Sequence, residues 1–149
     1  MVAIPPKTIY LVQEQPNPST DFFIEPALKL AGCGERTEVI RCGFTELPSI
    51  EKLTGAVVIF VRYVPREWKL LVDSVRDQLA RVIFFMDDDL LQTSASQGMP
   101  WRYRFKLARL ATLRKGWLKH IGAELWVSTP YLLNKYPDWN PLLIPPKPL

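Results

Sequence analysis

Runs of apolar, mostly β-branched or aromatic residues recur at 8–12, 56–61, 82–86 and 125–128, and none of them alternates with polar positions. Uninterrupted apolar strands are expected where helices cover both faces of a sheet, the condition of parallel sheets in α/β folds. Residues 38–42 and 142–144 are candidates for further strands, the second stopped by Pro145 and Pro146. Helical periodicity fills the gaps at 21–30, 66–79 and about 101–121. The first helix has Ser19, Thr20 and Asp21 as capping candidates, Gly32 as a stop and Pro26 inside it, which blurs its start. The second begins after Pro65 and places Trp68, Leu71, Val72, Val75 and Leu79 on one stripe. In the third, Leu107, Leu110, Ala111, Trp117, Leu118 and Ile121 form the stripe that must be buried, with Arg114 in its middle. Alternating strands and helices predict one α/β domain over residues 1–149, Rossmann-like, with a mostly parallel sheet flanked by helices. Residues 137–149, with five prolines, read as an extended exit segment.

Composition narrows the setting. The 149 residues suit one domain, and no apolar run reaches the roughly 20 residues of a membrane-spanning helix. The N-terminus, MVAIPPKTIYLV, lacks the basic region of a signal peptide, so a cytoplasmic location is expected. Cys33 and Cys42 are spaced neither as a redox pair nor as zinc ligands, and His120 stands alone; free thiols and no metal are expected. A net charge of +4 is too mild for a dedicated nucleic-acid binder, and no nucleic-acid partner is expected. Neither GxGxxG nor GxxxxGK[ST] occurs, so the fingerprints of a dinucleotide site and a P-loop are missing and no cofactor is expected.

In open parallel sheets ligands bind beyond the carboxyl ends of the strands. The loops that should lie there contain Ser19 and Thr20, Arg62 in RYVPRE, Asp87, Asp88 and Asp89 in DDDLLQTSASQGMP, and Ser128 and Thr129 in STPYL. Three adjacent carboxylates after the most apolar strand repel one another, so at least one should need a cation, a donor or solvent beside it. Turn and capping chemistry is the plainer explanation of such a run. Ser128 or Thr129 can cap the helix that follows. The helix over 101–121 carries Arg102, Arg104, Lys106, Arg109, Arg114, Lys115 and Lys119 and no acidic residue. That face is either simply solvated or meets anionic headgroups or phosphates, with Arg102, Lys106 and Arg109 as the contacts.

Taken in order, PSTDFFIEPALKLAG, AVVIFVR, RVIFFMDDDL and LKHIGAELWVSTPYLLNKYP resemble the N-terminal, acceptor-side domain of bacterial GT-B-type glycosyltransferases that attach sugars to surface polysaccharides. The likeness spreads over most of residues 8–145 and departs from the family at Phe22 and Phe23, where an arginine is usual. It implies a domain that presents a saccharide or lipid-linked acceptor for sugar transfer. Asp87, Asp88 and Asp89 would lie nearest the reaction cleft as catalytic candidates, with Ser19, Thr20, Arg62, Ser128 and Thr129 as acceptor or phosphate contacts. It also implies chemistry without a bound metal, and a nucleotide-sugar donor held by a second domain that has no counterpart in these 149 residues. On that expectation the chain alone is inactive, and it could sit peripherally at the inner membrane. Two readings from other classes compete. One is a receiver-like phosphoacceptor domain using Asp87, Thr129 and Lys147-Pro148, and the other is a non-catalytic module that docks its basic helix on a membrane or partner.

Overall fold

A computed structural model gives the fold and describes residues 7–14, 23–24, 27–28, 37–87 and 100–144. Six strands form one all-parallel sheet: β1 (Thr8–Val12), β2 (Glu38–Cys42), β3 (Val57–Val61), β4 (Arg81–Met86), β5 (Glu124–Val127) and β6 (Leu142–Leu143). Their spatial order is β2-β1-β3-β4-β5-β6, with every neighbouring pair parallel. The predicted Rossmann-like α/β architecture is therefore present. The order reverses direction between β1 and β3, so the loops after these two strands part and leave a crevice at the carboxyl edge.

The unbroken apolar strands have the cause inferred from the sequence. Tyr10, Val12, Val58, Phe60, Val82, Phe84, Met86, Leu125 and Val127 point into one core, while Ile9, Leu11, Val57, Ile59, Val61, Ile83, Phe85 and Trp126 point into another on the opposite face. The first core is closed by α1 (Ile50–Leu53), α2 (Arg66–Val75), α3 (Trp101–Leu110), α4 (Lys115–His120) and α5 (Pro130–Lys135), which contribute Leu53, Trp68, Leu107, Leu118 and Leu132. Against the second core lie Phe23, Ile24, Ala27, Leu28 and Ile144. Those four residues from 23 to 28 are the described part of the helix predicted over 21–30, and all four are helical. Ser19, Thr20, Asp21, Gly32, Cys33 and the loop at 92–98 lie outside the described residues. The single-turn helix α1 went unpredicted, because four residues are too few to show a period.

Two expectations are corrected. The segment over 101–121 is not one helix: α3 stops at Leu110, Ala111 leaves helical geometry at φ −133° and ψ −65°, and a 3-10 turn over Thr112–Arg114 leads into α4. The break has a tertiary cause. The Leu110 carbonyl, which would accept from Arg114 within a continuous helix, accepts instead from the Val64 amide at 2.7 Å, so the loop after β3 cuts into the ladder. The buried stripe survives the interruption, with Leu107, Leu110, Ala111 and Leu118 buried and Trp117 and Ile121 packed against the same core. The second correction concerns the exit segment, whose described part stays on the sheet. Pro137–Trp139 is a 3-10 turn, β6 pairs with β5, and Ile144 is buried.

Candidate functional site

Side chains delivered by β3, β4 and β5 meet at the carboxyl edge. Arg62 follows the last residue of β3 with φ at +73°, a left-handed backbone that a non-glycine residue adopts at a cost. Its amide donates to the Phe85 carbonyl at 2.9 Å, which ties this turn to β4. The left-handed turn sends the guanidinium toward Asp87, with Arg62 Nε 3.6 Å from Asp87 Oδ1 and each side chain about a quarter exposed. At that separation the contact is an ion pair rather than a hydrogen bond. The cation that a carboxylate was expected to need is thus supplied by the neighbouring strand. From β5, Ser128 Oγ donates to the Asp87 backbone carbonyl at 3.5 Å. Thr129 caps α5, accepting from the Leu132 amide at 3.2 Å ahead of Pro130 in the first turn.

Tyr63 joins this cluster to the crevice. The Arg62 guanidinium lies 5.7 Å and the Lys106 ammonium 4.9 Å from the centre of its ring, which meets Phe44 edge to face. Burial pushes the Tyr63 phenol above its ordinary pKa, against the opposing pull of Arg62. Lys106 in turn holds Glu14, just past β1, at 2.7 Å. A groove of about 770 Å³ opens beside this pair, between the loops after β1 and β2 and the facing ends of α2 and α3. Its walls include Phe44, Phe105, Arg66, Arg109 and Arg114. It therefore sits where the strand order reverses, the place where doubly wound sheets take their ligands.

Arg114, expected in the middle of the buried stripe, is half-buried and donates from Nε to the Val64 carbonyl at 3.2 Å. Together with the Leu110 carbonyl it clamps both backbone groups of Val64. Glu124 is held by Arg81 in a two-pronged contact at 2.6 Å. Burial, with Arg109 and Arg66 adding to it, holds the Arg114 guanidinium below its usual pKa.

Of the residues singled out in the sequence, the structure brings together Arg62, Asp87 and Ser128. Asp88, Asp89, Ser19, Thr20 and Lys147-Pro148 lie outside the described residues. On α3, Arg102 and Arg109 are exposed while Lys106 turns inward to Glu14. Glu14 therefore belongs to the crevice wall and is paired there with Lys106, not with Arg62. Sequence reasoning missed the groove and did not place two of its arginines, Arg66 and Arg114, in its wall. Arg66 was legible in outline, standing in RYVPRE at a strand end. Arg114 was not, because a continuous helix would have aimed it at the sheet. Among the described residues no group of three or more His, Cys, Asp or Glu side chains could hold a metal ion, and no helix is long and apolar enough to cross a membrane. No protein family, curated protein or solved structure matches the chain.

Proposed function

We propose that the chain is the acceptor-side domain of a two-domain glycosyltransferase. The observation that carries this reading is the convergence of Arg62, Asp87 and Ser128, from three adjacent strands, on the carboxyl edge beside an open groove at the strand-order reversal. The segments on which the resemblance rests support it by their placement. AVVIFVR and RVIFFM supply the hydrogen-bonded neighbours β3 and β4, and ELWVSTPYL runs from β5 through a capping threonine into α5.

In this reading the acceptor hydroxyl lies against the Asp87 carboxylate. Its oxygen bonds to the anomeric carbon of the donor sugar as the bond to the departing nucleotide phosphate breaks, and its proton passes to Asp87. Arg62 holds the carboxylate in place for that step. The donor is bound by a second domain, and the outer face of α3 meets an anionic membrane surface. That face shows Trp101 at 71% and Phe105 at 62% exposure beside Arg102, an apolar and basic pairing suited to the interface.

Titration of these 149 residues by saturation-transfer NMR tests the assignment. Oligosaccharide acceptors are expected to bind and to lose affinity several-fold in Asp87→Asn, while nucleotide-sugars bind no tighter than about 1 mM, near −4 kcal/mol. Micromolar binding of a nucleotide-sugar without saccharide binding overturns the assignment.

A further inference from the structure

The groove gathers more positive charge than the fold uses. Its walls carry Arg66, Lys106, Arg109 and Arg114 against the carboxylates of Glu14 and Glu67. Glu14 is taken up by Lys106, which leaves three guanidinium groups with Glu67 as the remaining carboxylate among the described residues of the wall. Among the described residues neither Arg66 nor Arg109 has an ion pair or hydrogen bond from its side chain. Arg66 stands in the first turn of α2, where the helix dipole already disfavours a cation, so its charge does not serve the helix. Arg114 is fixed by its bond to Val64, and the three groups are close enough that Arg66 and Arg109 both weaken its hold on a proton. Like charges collected around an open cavity repel one another until an anion enters.

We propose that this groove binds the phosphoryl group of a phosphorylated ligand through the guanidinium groups of Arg66, Arg109 and Arg114. Planar forks suit phosphate oxygens two at a time, which a single ammonium does not match. The cavity is far larger than a phosphoryl group, and Phe44 and Phe105 give it apolar walls for the organic part of the ligand. The inference rests on the glycosyltransferase reading only in calling that ligand the acceptor, which would then be a phosphorylated saccharide or a lipid-linked one.

Inorganic pyrophosphate, titrated calorimetrically at ionic strength held constant with sodium chloride, is the probe. One pyrophosphate per chain is expected, with at least a tenfold loss of affinity in Arg66→Ala and in Arg109→Ala, both exposed positions whose truncation spares the core. Arg104→Ala, an exposed arginine on the same helix outside the groove, should change affinity less than twofold. No heat beyond that of chloride, or an equal loss in Arg104→Ala, overturns the site. Vesicles of phosphatidylcholine with phosphatidylglycerol separate the sources: displacement of pyrophosphate by the vesicles assigns the phosphoryl group to a lipid headgroup, and binding of pyrophosphate undisturbed by them assigns it to a soluble ligand. Pyrophosphate uptake is measured without sugar transfer, so the site can hold while the transferase reading fails, and the reverse.

Discussion

Arg62 combines an uncommon backbone with an ion pair at the carboxyl edge of the sheet. A left-handed conformation costs a non-glycine residue about 1–2 kcal/mol, and such strain persists where surrounding bonds over-determine it. Here the Arg62 amide bond to Phe85 and the pairing with Asp87 do so. Arg62→Ala keeps the strain and removes the pair, whereas Arg62→Gly removes both. The glycine variant should therefore be more stable than the alanine variant by about 1 kcal/mol in urea unfolding, and both should lose saccharide affinity alike. Equal stability would mean the turn carries no strain. The strand-end loop marks Arg62 in the sequence, but nothing marks its backbone, because a left-handed site usually announces itself by glycine or asparagine, and this one holds an arginine. Asp87, in contrast, was legible: a carboxylate directly after an apolar strand has few places to be except the sheet edge.

At the scale of elements, strand existence was readable because four apolar runs met the condition for a sheet buried on both faces, while the outer strands β2 and β6, less buried, stood only as candidates. Helix continuity was not. A 3.6-residue period carries the stripe from Leu107 to Ile121 through the break at Ala111, since the interruption comes from a tertiary bond, Val64 amide to Leu110 carbonyl, rather than from proline or glycine. Lys106 is spent on Glu14, so the outer face of α3 presents Trp101, Arg102, Phe105 and Arg109, followed by Leu113 at 72% exposure in the turn. If this face meets a membrane, charge reversal at Arg102 and Arg109 should abolish sedimentation with anionic vesicles at low salt, at up to about 1 kcal/mol for each charge removed near the surface. Trp101→Ala with Phe105→Ala should weaken it even at unchanged charge, because aromatic side chains add buried area at the interface. Loss with charge reversal but none with the aromatic pair would identify a purely electrostatic contact and remove insertion from the account. Sedimentation unchanged in both variants would mean that α3 is not the contact.

For the whole molecule, strand order was the part the sequence withheld, since apolar runs say that strands lie in a sheet but not which are neighbours. The observed order places β2, β1 and β3 side by side and gathers three weakly acidic groups near the first core: Tyr10 on β1, Cys42 at the end of β2 and Tyr63 after β3. Burial raises the pKa of all three, above 9.0 for the Cys42 thiol and above 10.0 for the two phenols, with Cys42 adding to the shift at Tyr10 and Glu46 to that at Cys42. Each group is neutral when protonated. The unfolded chain therefore releases these protons at lower pH than the native protein does, and the native state binds more protons above the unfolded pKa. The stabilisation they contribute is complete below pH 9 and is lost as pH rises through the raised native values. The urea midpoint should hold level up to about pH 8.5 and fall beyond it. Cys42→Ala should flatten the first part of the fall, and Tyr10→Phe with Tyr63→Phe the later part. A midpoint that rises between pH 8.5 and 10, or a fall equally steep in the triple variant, would show that the packing of β1, β2 and β3 around these groups does not govern the alkaline limit.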